Sequence, residues 1–192
     1  MPTTTKMGIV YPASTDLVKD GATAMGTIST TVDNKTGMIL LNTTSFTSAS
    51  SVIVPNVFSA NYKSYKIFIE CNQAGVSDIK LRLRTGSTSA ATSYDLQYLR
   101  GQGTTTTVAG LPNQTEYFIT TNQASGPSWC DITVHKPFEA TQTYFQSLWF
   151  THVYSVGITG GFHQTATSYE SFEIFPTTST FTGSVKTYGL NQ

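Results

Sequence analysis

The sequence predicts a mainly β protein, an antiparallel β-sandwich of jelly-roll type with a short helical segment before it. Three observations lead there. Short runs alternate apolar and polar residues, as in Ile79-Lys80-Leu81-Arg82-Leu83-Arg84, the mark of a strand with one buried face. Turn clusters such as Asn72-Gln73-Ala74-Gly75 and Ala124-Ser125-Gly126-Pro127 separate these runs at short intervals, as in sandwiches and barrels. The chain holds 34 Thr, 10 Tyr and 11 Phe, and β-branched and aromatic side chains suit a pleated, half-buried surface.

Along the chain, residues 1–6 are polar. Gly8-Ile9-Val10-Tyr11-Pro12 is a short apolar patch, with Ile9 and Tyr11, closed by a proline. Ser14 or Thr15 can cap a helix, with Asp16 in its first turn. Leu17, Gly21, Ala24, Ile28 and Val32 then recur at helical spacing and form one stripe. Gly21 and Ala24 let another backbone come close. One stripe on a helix of roughly 17 residues is not stable alone, so it predicts packing on its own domain or on a partner. The turn cluster Asp33-Asn34-Lys35-Thr36-Gly37 ends this segment and divides the chain into residues 1–37 and a sandwich domain, 38–192.

Strands are expected at 38–44, 51–58, 64–71, 78–84, 94–100, 115–121, 130–136, 145–156, 169–175 and 183–189. In the third, residues 65, 67, 69 and 71 face one way; Glu170–Phe175 alternates similarly. Thr104-Thr105-Thr106-Thr107 reads as a surface loop or short edge strand, and Gly157-Ile158-Thr159-Gly160-Gly161 as a hairpin turn. Residues 85–93, 101–114 and 123–129 are the expected surface loops.

Eleven basic residues balance eleven acidic ones, and charged residues make up 11% of the chain, less than half of the usual share of about 25%. Without a basic excess, no nucleic-acid partner is expected. The longest apolar runs are as short as Met38-Ile39-Leu40-Leu41, so no membrane insertion is expected. No apolar core follows Met1, and no secretory signal is expected. The three sequons, at Asn34, Asn42 and Asn113, read as chance matches in a Thr-rich chain. A neutral chain lacks the charge that keeps small proteins apart. It predicts either a surface covered in an assembly or one hydrated by the hydroxyls of 34 Thr and 20 Ser.

Candidate chemistry is sparse. Cys71 and Cys130 lie far apart with no CxxC pair. They read as two buried free thiols, with one disulfide as the alternative. His135, His152 and His163 lack metal-ligand spacing and read as hydrogen-bonded strand histidines. The carboxylates are scattered, and neither GxSxG, a Walker sequence nor GxGxxG occurs. No catalytic residue, metal or cofactor is therefore assigned, and the expectation is a non-enzyme. Trp149, inside Leu148-Trp149-Phe150, belongs in a core or subunit interface. Trp129 follows Gly126-Pro127-Ser128 at a loop-strand junction. It is the expected exposed aromatic for ligand binding, because carbohydrate sites combine such rings with Asn, Asp and Gln.

The segment from Gly8 to Met25, with Gly8, Tyr11-Pro12, Thr15-Asp16, Val18, Gly21-Ala22 and Ala24 in place, resembles a "GxxYP…TDxVxxGAxA" pattern recurrent in virion proteins of tailed bacteriophages. There it precedes a β-rich module in minor tail, fibre-like or head-decoration proteins. The end of the chain, Gly183-Ser184-Val185-Lys186-Thr187-Tyr188-Gly189, is similar to the closing "GxxxxYG" strand of many such modules. The resemblance implies a non-enzymatic virion component assembled in the host cytoplasm, usually a homotrimer. Leu17, Gly21, Ala24, Ile28, Val32, Ile9 and Tyr11 would anchor or oligomerise it on capsid or tail proteins. The sandwich would project outward for host-surface attachment, to a glycan among other receptors. The alternatives are a capsid decoration or head-fibre protein docked on the head shell, and a glycan-degrading spike.

Overall fold

A computed structural model describes residues 21, 23, 25–28, 37–122, 126–152 and 154–191. The chain divides into two compact units, residues 1–39 with Asn191 and residues 40–190 with Gln192. In the first, the described residues Gly21, Thr23 and Met25–Ile28 are helical, and Thr27 Oγ1 donates to the Thr23 carbonyl at 3.0 Å. Ile9, Tyr11, Leu17, Ala24 and Val32 lie outside the described residues.

The second unit is an antiparallel β-sandwich of jelly-roll type. Its strands are β1 (Met38–Ala49, whose first two residues belong to the first unit), β2 (Val52–Val54), β3 (Ser64–Gln73), β4 (Ser77–Thr85), β5 (Thr88–Ser89), β6 (Tyr94–Gln102) and β7 (Thr105–Gln114). They continue with β8 (Tyr117–Asn122), β9 (Gly126–His135), β10 (Thr143–Thr151), β11 (Ser155–His163), β12 (Ser171–Pro176) and β13 (Phe181–Leu190). The large sheet runs β1-β13-β3-β9-β10-β11-β6-β7; the small one runs β2-β12-β4-β5, with β8 also on β4. Neighbours such as β13, β3 and β9 are distant in sequence, which is the long-range pairing of a jelly roll.

The core lies between the sheets. Tyr65, Ile67 and Ile69 of β3, Ile132 and Val134 of β9, and Phe145 and Trp149 of β10 come from the large sheet. Ile79, Leu81 and Leu83 of β4, Tyr117 and Ile119 of β8, and Phe172 and Ile174 of β12 come from the small one. The alternation in 65–71 and 79–84 therefore sorts residues as expected. Cys71 and Cys130 are buried free thiols. They sit diagonally on paired strands, since Ile69 faces Cys130 and Cys71 faces Ser128. Burial pushes the Cys71 thiol up to about 12, with the Glu70 charge adding to it. Complete burial likewise holds the Cys130 thiol well above its ordinary value.

Three expected features differ. Residues 145–156 are not one strand: β10 ends at Thr151, the chain turns through His152 and Tyr154, and β11 begins at Ser155. The expected turn at 157–161 is the middle of β11, and the real turn is closed by Tyr154 at φ 55°. Glycines misled the reading because in a strand they serve packing as well as turning. The threonine run lies largely in β7 at the sheet edge, as its edge-strand alternative had it, but most of 101–114, expected as a loop, is paired.

The outer side of the small sheet carries much of the charge. Lys80 Nζ lies 2.6 Å from Glu116, Arg82 lies 3.0 Å from Glu116, and Arg84 lies 2.8 Å from Glu173. The Arg82 guanidinium also stands 4.8 Å from the Phe175 ring centroid. Burial raises the Glu116 carboxyl, but hydrogen bonds from Lys80, Thr115 and Arg82 outweigh that and hold it below its ordinary range.

Candidate binding face

The outer side of the large sheet has the opposite character. On β11, Val156, Ile158 and Phe162 point outward, while Ser155, Gly157, Thr159, Gly161 and His163 point inward. This inverts the usual apolar-in, polar-out pattern of a one-sided sheet. On β10 the outward set is Tyr144, Gln146, Leu148 and Phe150, and the inward set includes Thr143, Ser147 and Thr151. Large rings fill the space left by the small inner residues. Trp149 faces Gly157 across the β10–β11 ladder, and a Cβ built on Gly157 would overlap the Trp149 ring. The Tyr117 hydroxyl donates to the Thr159 carbonyl at 2.7 Å.

Leu99, Val108, Tyr144, Leu148, Phe150, Val156 and Ile158 are each 43–61% exposed. The register aligns them in rows across the strands. Leu148 faces Ile158, Ile158 faces Leu99, and Leu99 faces Val108. A second row joins Trp129, Phe150 and Val156. Single exposed apolar residues are ordinary, but a contiguous patch marks a contact surface.

Between the apolar row and the Tyr144–Phe162 pair runs a third row. Gln146 faces Gly160, and Gly160 faces Gln97. This row floors an open groove of about 640 Å³ whose lining includes Gln97, Gln146, Tyr144, Leu99, Ile158 and Gly160. A Cβ built on Gly160 meets nothing within 4 Å, so the floor is open above it. Among the described residues, the Gln97 and Gln146 side-chain amides have no hydrogen-bond partner. The Tyr144 hydroxyl donates to Gln142 at 3.0 Å.

Trp129 stands on this same outer side. It stacks on Phe150 at 5.0 Å and lies 6.0 Å from Phe68. It is part-exposed and lines a smaller groove of about 350 Å³ with Phe150, Glu70 and His152. Trp149, by contrast, is fully buried in the core. Of the oligomerisation residues read from sequence, Gly21 and Ile28 are helical and part-exposed; the others lie outside the described residues.

Of the remaining polar candidates, His135, His163 and Asp131 have local partners. His135 Nδ1 is 2.9 Å from Ser64 Oγ. His163 is buried, with Nε2 3.0 Å from the Thr92 carbonyl and Nδ1 3.3 Å from the Tyr169 hydroxyl. Burial holds its pKa below the ordinary value, against the hydrogen bonds that raise it. His152 is exposed at the β10–β11 turn rather than on a strand. Asp131 pairs with Lys66 at 2.5 Å. Among the described residues, no group of three His, Cys, Asp or Glu side chains could hold a metal ion, and no helix is long and apolar enough to cross a membrane.

Sequence missed Ile158 and Gly160 because the turn assigned to 157–161 hid their strand; Gln97 and Gln146 fall in expected strands, but only the register with β11 brings them into one row. The signal was the alternation of Val156, Ile158, Gly160 and Phe162, which marks a strand without saying which side is covered. No protein-family model matches the chain, and no curated protein matches it. Among solved structures, the galectin LEC-6 of Caenorhabditis elegans is similar at 8% identity and a TM-score of 0.36, over 79% of this chain and 96% of that one.

Proposed function

We propose that the protein is a non-enzymatic virion structural protein, a homo-oligomeric attachment module whose working surface is the outer face of the large sheet. The observation that carries the attachment role is the inverted strand β11, which turns Val156, Ile158 and Phe162 to solvent. A strand exposing its apolar set costs solubility, and a contact surface gives that cost a purpose. The virion setting rests on the resemblance of Gly8–Met25 to tailed-bacteriophage proteins. The homotrimer rests on the same resemblance and on the stripe Leu17, Gly21, Ala24, Ile28 and Val32, which would find its partners in a three-fold bundle. A glycan-degrading spike is a weaker reading, since Glu116, Glu173 and Asp131 are tied to basic partners.

The alternative is a decoration or head-fibre protein docked on the capsid. Antibody labelling of particles of the virus that encodes the chain separates the two. Label at the tail tip supports attachment, label over the head shell supports decoration, and no label on the particle refutes both. Particles carrying Ile158→Lys should incorporate the protein normally and adsorb to host cells at least tenfold more slowly. Unchanged adsorption would remove the large-sheet face from the attachment role.

A further inference from the structure

We infer that the groove over Gly160 is a binding subsite for a neutral glycan, held by the Gln97 and Gln146 amides; this rests on the attachment reading and names its ligand class. Gln146, Gly160 and Gln97 form one cross-strand row. Adjacent strands lie about 4.8 Å apart, so the two glutamines rise roughly 10 Å from each other across a side-chain-free floor. Each amide offers donors and an acceptor, and neither is committed to a partner among the described residues. One wall is aliphatic, with Ile158 and Leu99, and Tyr144 stands on the other side. A pyranose ring has a matching division, with C–H faces for the walls and hydroxyls at its rim for the amides.

Charge selects the ligand further. Among the described residues, the groove is lined by no Asp, Glu, Lys or Arg, and the histidine at its edge, His135, is tied to Ser64 Oγ at 2.9 Å. An acidic sugar would leave its carboxylate without a counter-charge, and an ammonium group would be equally unpaired. A peptide fits less well. Extended peptides gain affinity by pairing with a sheet edge, whereas on a sheet face the backbone groups are already used within the ladder. The open floor also permits a clean test. An added Cβ at Gly160 finds empty space, and a β-branched residue suits a strand. Gly160→Val should therefore fold and fill the groove.

The full chain would be titrated against a panel of neutral hexose and N-acetylhexosamine oligosaccharides, with uronate- and sialate-containing ones beside them. Saturable binding of a neutral member is expected. It should weaken at least tenfold in Gly160→Val and in Gln97→Leu/Gln146→Leu, at unchanged melting temperature. Binding of acidic members alone, no binding of any neutral member, or neutral binding that Gly160→Val leaves intact would overturn the subsite. If Gly160→Val instead lowers the oligomeric mass, the groove is a contact between copies and the glycan assignment falls. Adsorption separates the two levels of inference. Particles that still attach with Gly160→Val reject the subsite and keep the attachment role. Glycan binding by a protein found nowhere on the particle rejects the virion role and keeps the subsite.

Discussion

Gly157 and Gly160 stand three residues apart on β11 and serve opposite sides of the sheet. The first makes room for a ring inside the core, and the second leaves space open to solvent. Gly157→Ala should therefore overpack the Trp149 contact and cost about 1–3 kcal/mol, read as a lower denaturant midpoint. The same change at Gly160 should leave stability within about 0.5 kcal/mol. Equal losses at both positions would contradict the two-sided assignment. The cysteines give a second residue-level expectation. The thiolate is the reactive form, and burial holds both thiols high. Neither Cys71 nor Cys130 should react with a thiol reagent at neutral pH in the folded protein, and both should react after denaturation.

At the scale of elements, the two outer faces divide the work. The small sheet carries the Lys80–Glu116–Arg82–Glu173–Arg84 ladder, while the large sheet carries the apolar rows. The ladder makes stability depend on acid. Glu116 has a lowered pKa in the fold, so it stabilises above its unfolded value of about 4.3. That contribution is lost as pH falls through the folded value. Glu116→Gln should flatten the stability curve below about pH 4.5, measured by denaturant melts across pH. His163 acts over a higher range. Its pKa is lowered by burial, so the unfolded chain takes up a proton first as pH drops below about 6.5. Stability is full above that pH and declines below it until the folded histidine also titrates. His163→Asn should remove this slope, whatever it costs in absolute stability.

For the whole molecule, neutrality and the exposed face belong together. A monomer with net charge zero and apolar rows on one sheet has little to prevent self-association. Light scattering of the full chain at micromolar concentration is expected to give a trimer, and a monomeric mass would defeat the oligomer. Removing residues 1–33 is expected to leave the sandwich folded, as judged by its circular dichroism, and to stop incorporation into particles. Normal incorporation of the truncated chain would end the anchoring role of the N-terminal segment.

The sequence by itself determined the fold class and much of the inner face. Alternation in 65–71 and 79–84 is local and carries its own meaning, because a strand's side chains change sides at every residue. The sequence also placed Trp149 in a core or subunit interface, and the ring lies in the core; Trp129, expected exposed at a loop junction, is part-exposed but stands inside β9. The hydroxyl surplus was only half legible. Composition offers these hydroxyls as the hydration of an exposed surface, yet Thr143, Ser147, Thr151, Ser155 and Thr159 lie buried. Only the tertiary structure decided that β11 is inverted and that Gln97 and Gln146 share a row. The physical reason is that burial is not a local property. Whether Ile158 or Thr159 points inward depends on which side the small sheet covers. The three strands that build the groove meet through ladder register, and one of them lies more than forty residues from the others.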